Sequence, residues 1–193
     1  MSGRPYTPRR RTTSAATRDR IVGAVRELVE EGTFHESTVE EVAARAGVAR
    51  ATLYQHFGSR LGLVDAMCET FDAHPALLHL RAAVDVNEFI SDAMAFWADE
   101  EKALTQLYGV ASVDPAAREL VERQSRDRHT ELRRLVRSLR AAGTLSVGER
   151  RALALLSLAT SFETFVELRR RAGLSQRELI ATLQESVRVL VLG

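Results

Sequence analysis

The sequence predicts an all-α protein, and three observations carry that expectation. Only four prolines and eleven glycines occur in 193 residues, so long stretches run without a helix breaker. Within them, apolar residues recur three and four positions apart, the spacing of one helix face. Cap-forming residues or glycines stand at the ends. A hydrophobic share of 45% against 27% charged residues is enough to bury a core. No apolar run approaches the roughly 20 residues of a membrane span. The lone Cys68 rules out an intramolecular disulfide and suits a reducing compartment.

The opening "MSGRPYTPRRRTTSAAT" combines two prolines, small polar residues and three consecutive arginines. Residues 1–16 read as a disordered basic arm, either a solvated tail or a segment that touches phosphates. With no apolar stretch behind the arginines, a secretory signal is not expected. Thr17 is placed to cap a helix whose apolar stripe is Ile21, Val25, Leu28 and Val29, with Gly32 as its stop. Phe34 follows as a core plug. Thr38 with Glu41 three residues on spells a capping box for a short helix of small buried residues, Val42, Ala43 and Ala46. Gly47 turns the chain into "RATLYQHF", Gly58 ends that helix, and Ser59 caps the next through Phe71.

Longer helices follow. The stretch from Val86 carries Phe89, Ile90, Ala93, Met94, Trp97, Leu104, Leu107 and Tyr108 on its apolar side, with a break possible near Asp99. Pro75 ends or breaks the helix before it. Asp114-Pro115 opens a very polar helix to Gly143, striped by Leu120, Val121, Leu132, Leu135, Val136 and Leu139. Ser146 is expected to cap one helix running to Gly173. Ser175 with Glu178 forms a second capping box for the last helix.

Charge is unevenly spread. The net value is only +1, yet the first sixty residues hold ten arginines against seven acidic residues. A basic end on a near-neutral chain is what a polyanion partner requires. A short capped helix, a glycine turn and a second short helix make a helix-turn-helix, whose second helix enters the DNA major groove. Leu53 and Phe57, four apart, would face a core with Val25, Leu28, Val42 and Ala46. Arg50, Thr52, Tyr54 and His56 are then left outside it. Arg50 suits paired bonds to guanine or a phosphate, and Thr52 a thymine methyl or a phosphate oxygen. Tyr54 and His56 have donors for phosphates, and Thr38 and Arg60 lie at helix starts, where backbone N–H groups also favour anions.

The segment "TVEEVAARAGVARATLYQHFGSRLGLVDAM" resembles the DNA-binding part of the TetR-type (tetracycline-repressor-like) transcriptional regulators. Ala43, Ala46, Gly47, Val48, Thr52, Leu53, Tyr54, His56, Phe57 and Arg60 match that pattern in order. Ala49 stands where the family usually has a capping serine, and Leu61 where it usually has an acidic residue. The resemblance covers about residues 17–70. It implies a helix-turn-helix domain over 17–60 and a helical effector-binding and dimerisation domain over 61–193. It implies a cytoplasmic homodimer on a palindromic double-stranded DNA operator, released by a small-molecule effector, with repression as the family default. The dimer would use the last two helices, rich in apolar residues at Leu153, Leu156, Ala159, Phe162 and Val166, and at Leu179, Leu183, Val187 and Leu190. Phe89, Met94, Trp97, Tyr108, His129 and Phe162 are candidate pocket residues, although each also reads as ordinary core.

Other classes find less support. The sequence holds no glycine-rich phosphate loop, G-x-S-x-G or H-E-x-x-H, so neither an enzyme nor a cofactor is expected. Asp72, His74 and His79 lack zinc-ligand spacing across Pro75. A helical ligand-binding or adaptor protein that does not read DNA is the remaining alternative.

Overall fold

The backbone turns at the glycines that the sequence marked. In a computed structural model, which describes residues 9–192 (side chains of 9–13 and of Ala116 excepted), Gly47 has φ 64° and Gly58 φ 69°. A Cβ is unfavourable in that left-handed region, and both turns delimit the second helix of the helix-turn-helix. The described residues are α-helical almost throughout, with one isolated bridge between Leu145 and Leu192. The chain divides into two compact units. One comprises the residues up to Thr70 together with Thr105–Arg118, the other Phe71–Leu104 together with Glu119 onward.

The first unit contains α1 (Arg9–Glu30), α2 (Val39–Arg45), α3 (Arg50–Phe57) and α4 (Arg60–Glu69). Residues 1–8 of the expected arm lie outside the described residues. Its remainder is helix, since α1 reaches back to Arg9 rather than starting at Thr17. Pro8 is the last proline before it, and nothing between it and Thr17 stops helical propagation. Ile21, Val25, Leu28, Val42, Leu53 and Leu63 form the buried centre. The Thr38–Glu41 box closes as the spacing implied: the Thr38 amide donates to Glu41 at 2.6 Å, and the Glu41 amide to the Thr38 hydroxyl at 3.2 Å. α4 packs on α1 and α3, so this unit extends past residue 60, where the sequence suggested a boundary.

The second unit holds α5 (Pro75–Ala82), α6 (Val86–Asp99), most of α8 (Pro115–Ala141), α9 (Glu149–Ala159), α10 (Phe162–Val166) and α11 (Gln176–Val191). α7 (Glu101–Ala111) and α8 pass from one unit to the other. Pro75 was expected to end the preceding helix, but α4 already stops at Glu69 and a 3-10 turn over Thr70–Ala73 follows; Pro75 instead opens α5, with the His74 ring accepting from the Ala76 amide as cap. The single helix expected from Ser146 to Gly173 is instead interrupted. It starts after Gly148, breaks at Thr160–Ser161 and closes with a π-turn over Glu167–Arg171. Short hydroxyl side chains compete for backbone groups there: Thr160 donates to the Leu156 carbonyl at 2.8 Å, and Ser161 caps α10 by accepting from Thr164 at 3.1 Å. α11 packs on α6 and α9, and its Ser175–Glu178 box is formed. No helix among the described residues is long and apolar enough to cross a membrane.

Candidate nucleic-acid interface

α3 buries a single side chain, Leu53. Arg50 and Tyr54 are exposed, Thr52 and His56 half-buried, so the four polar residues do lie outside the core. Phe57 is only half-buried. Its ring lies 6.0 Å from the His56 ring, tilted to it, and 5.6 Å from the Arg18 guanidinium, instead of sharing the buried core with Leu53. Ala49 supplies no side-chain cap to α3, as its methyl group dictates.

Two features outside α3 set its position. The first is Gly62, inside the first turn of α4. A Cβ there would lie 2.0 Å from the Phe57 carbonyl oxygen, so only glycine lets α4 approach the end of α3 this closely. The second is Arg60, expected from its place in the sequence to meet phosphate. Its guanidinium donates to the carbonyls of Ser37 and Phe34 and lies 4.4 Å over the Phe34 ring. Desolvation lowers its pKa. Arg60 is therefore committed to the loop between α1 and α2, where buried carbonyls need a donor. Arg60 thus has a positioning role beside the phosphate contact expected of it.

Thr38 is exposed at the start of α2, but its hydroxyl is engaged with Glu41. Arg50 has partners too. Its Nη1 is 2.7 Å from the Glu40 carboxylate, and its guanidinium lies 5.3 Å from the Tyr54 ring centroid. The Tyr54 hydroxyl first, and Glu40 second, hold its pKa above the ordinary value. Sequence reading missed Glu40, whose partner is ten residues away. It also missed Gly62, for which a glycine inside a helical pattern was the available signal.

The pocket candidates do not converge on one cavity. Phe89, Met94, Trp97 and Phe162 are buried. Trp97 and Phe162 meet at 5.7 Å, and the Trp97 indole donates to the Thr160 carbonyl at 3.0 Å. These four pack against other side chains because they fill the apolar faces of α6 and α10. Tyr108 falls in the other unit. His129, half-buried on α8, lies 3.5 Å from the Ser157 hydroxyl beside an open groove of about 500 Å³, lined with it by Glu122, Ser125, Arg126, Thr130 and Arg133. Of the dismissed metal-ligand candidates, Asp72 pairs with Arg81 and His74 caps α5.

With this geometry, comparison with known proteins is informative. Residues 21–67 match the family described as bacterial regulatory proteins, tetR family. The chain carries a TetR-family helix-turn-helix domain. A curated relative, the HTH-type transcriptional regulator UidR of Escherichia coli K12, is 30% identical over 79 residues, 41% of this chain and 40% of the relative. The chain thus spans about two fifths of the length of the first curated relatives it matches. These relatives are described as transcriptional regulators. Among solved structures, Salmonella enterica GusR matches with a TM-score of 0.73 at 21% identity, over 91% of this chain and 95% of that one. SmeT, the repressor of a Stenotrophomonas maltophilia multidrug efflux pump, matches with a TM-score of 0.70 at 16% identity, over 91% and 90%. It has also been solved with triclosan. Identities this low show a shared fold alone, and that likeness covers residues of both units.

Proposed function

We propose that this protein is a dimeric, sequence-specific transcriptional regulator, a repressor released from a palindromic operator by a small-molecule effector. The reading rests above all on α3, which buries only Leu53 and leaves Arg50, Thr52, Tyr54 and His56 outside the core. Arg50 reads a base; Thr52, Tyr54 and His56 contact base edges or phosphates; Thr38 lies beside the backbone at the start of α2. A cytoplasmic location goes with this reading.

Homodimerisation has partial support in the C-terminal helices. Leu156, Phe162, Leu179, Leu183 and Val187 are buried within the protomer, so they belong to its own core rather than to the expected interface. Leu158, Val189 and Leu190 stay exposed, while Leu153, Ala159 and Val166 are half-buried. These remaining residues offer an apolar face for a second copy. The effector is proposed to enter the second unit, by analogy with SmeT, which has been solved with triclosan. Such a ligand needs to favour the non-binding state by only about 1.4 kcal/mol to shift occupancy tenfold.

The test is selection of bound sequences from a random duplex pool, followed by titration across salt concentrations. The expected product is a palindrome with half-sites about one helical turn apart. Its affinity should fall steeply with salt through counterion release. A monomer in solution with no preference among duplexes at low salt would leave a helical protein that does not read DNA.

A further inference from the structure

Glu40 presents a carboxylate beside Arg50, the residue proposed above to read a base. Negative charge near phosphates opposes binding, and Glu40 is not needed to cap α2, because Glu41 makes both bonds of the box with Thr38. What Glu40 does contact is the Arg50 guanidinium, at 2.7 Å, in a pair whose side chains are 61% and 55% exposed. The Tyr54 ring flanks the same guanidinium at 5.3 Å. An arginine free on the rim of a docking helix turns to the nearest phosphate, a contact that carries no sequence information. One restrained by a carboxylate and an aromatic ring has fewer orientations to lose, and its remaining N–H groups stay aimed. If Arg50 left for a phosphate, Glu40 would be stranded unpaired in a negative field, a penalty that falls on the non-specific mode.

We propose that Glu40 is a specificity-determining positioning residue, which holds Arg50 against Tyr54 so that Arg50 reads a base instead of a phosphate. This rests on the reading that α3 docks in the major groove. It adds a residue whose role is to discriminate between sequences, not to add affinity.

The experiment uses the full chain and two duplexes of equal length and composition, one bearing the selected site and one scrambled. E40Q, R50Q and the double variant are titrated on both across salt. For E40Q, binding to the scrambled duplex should tighten roughly three- to tenfold and to the site change less than about twofold. The log–log salt slope on scrambled DNA should steepen by about 0.9, one added phosphate contact. In the R50Q background, E40Q should leave the ratio of site to scrambled affinity unchanged. Glu40 acting only as a local charge or on α2 stability would shift both affinities equally, or keep its effect without Arg50; either result overturns the proposal. If the wild-type chain itself fails to distinguish the duplexes, the groove-docking reading falls and this inference with it. If wild type discriminates and E40Q discriminates equally well, only the inference falls. Circular dichroism of each variant confirms an unchanged fold.

Discussion

The recognition helix and the last helix are held in place by opposite means. α11 has sixteen residues, a closed capping box at its start, and Leu179, Leu183, Val187 and Val191 buried at four-residue intervals. Burial of each such side chain contributes about 1.5–3 kcal/mol, so α11 is anchored by its own apolar stripe. α3 has eight residues, no side-chain cap and Leu53 alone in the core. Such a short helix has no independent stability in water. It depends on the Gly47 and Gly58 turns, the close approach of Gly62, and the hold of Arg60 on the α1–α2 loop. Sparse burial is what leaves polar side chains free for an outside partner, and the adjoining segments supply the rigidity that α3 does not supply for itself.

The largest effect on α3 is expected from Gly62→Ala. The added methyl group meets backbone at 2.0 Å, and a carbonyl cannot turn aside like a flexible side chain. A loss of about 3 kcal/mol or more is expected, read by chemical denaturation, together with loss of duplex binding. Wild-type stability and binding in that variant would mean that α3 does not depend on its neighbour. Arg60→Ala comes next, at about 1–3 kcal/mol, since the Ser37 and Phe34 carbonyls lose a charged donor. Duplex affinity should fall while its salt slope is unchanged; a slope shallower by about 0.9 would return Arg60 to the phosphate contacts.

Capping sharpens the contrast. Ala49→Ser should stabilise the helix-turn-helix by about 0.5–1 kcal/mol, and Ser175→Ala should cost about the same at α11, both measured by thermal melting. The smallest effect is expected from pH. Hydrogen bonds donated to the Glu41 carboxylate by the Thr38 backbone amide first and its hydroxyl second lower the Glu41 pKa, and those donated by the Ser175 hydroxyl first and its backbone amide second lower that of Glu178. A carboxyl whose folded pKa is depressed contributes stability above the ordinary carboxylate range, and loses it as pH falls through the folded value. The penalty of E41Q or E178Q relative to wild type should therefore be present at neutral pH and vanish in acid below that range. A penalty that persists in acid would show that charge is not what these boxes use.

Much of the first unit was legible in sequence because its signals are local. A capping box spans four residues, and a left-handed turn needs one glycine, so Thr38–Glu41, Gly47 and Gly58 were all visible in the order of letters, as was the Ser175–Glu178 box of the second unit. The polar face of α3 was readable too, once Leu53 was assigned to the core. The hold of Arg60 on the α1–α2 loop was not legible, because its acceptors are backbone carbonyls of Phe34 and Ser37, more than twenty positions away, and carbonyls carry no residue identity. The split of α9 from α10 was missed because Thr160 and Ser161 sit in a run that otherwise keeps helical periodicity. Leu183 and Leu190 are both leucines on one helix, yet one is buried and the other exposed.

Periodicity, caps and turn glycines by themselves determined that the chain is helical, where α2 and α3 begin and end, and that α3 turns a polar side outward. These are properties of neighbouring residues, settled by backbone geometry within a turn or two. Tertiary structure alone decided that Arg60 serves the α1–α2 loop, that Glu40 meets Arg50, that Gly62 admits α4 against Phe57, and which apolar residues of the last helices are core. Each depends on residues that only the folded path brings within van der Waals or hydrogen-bond reach.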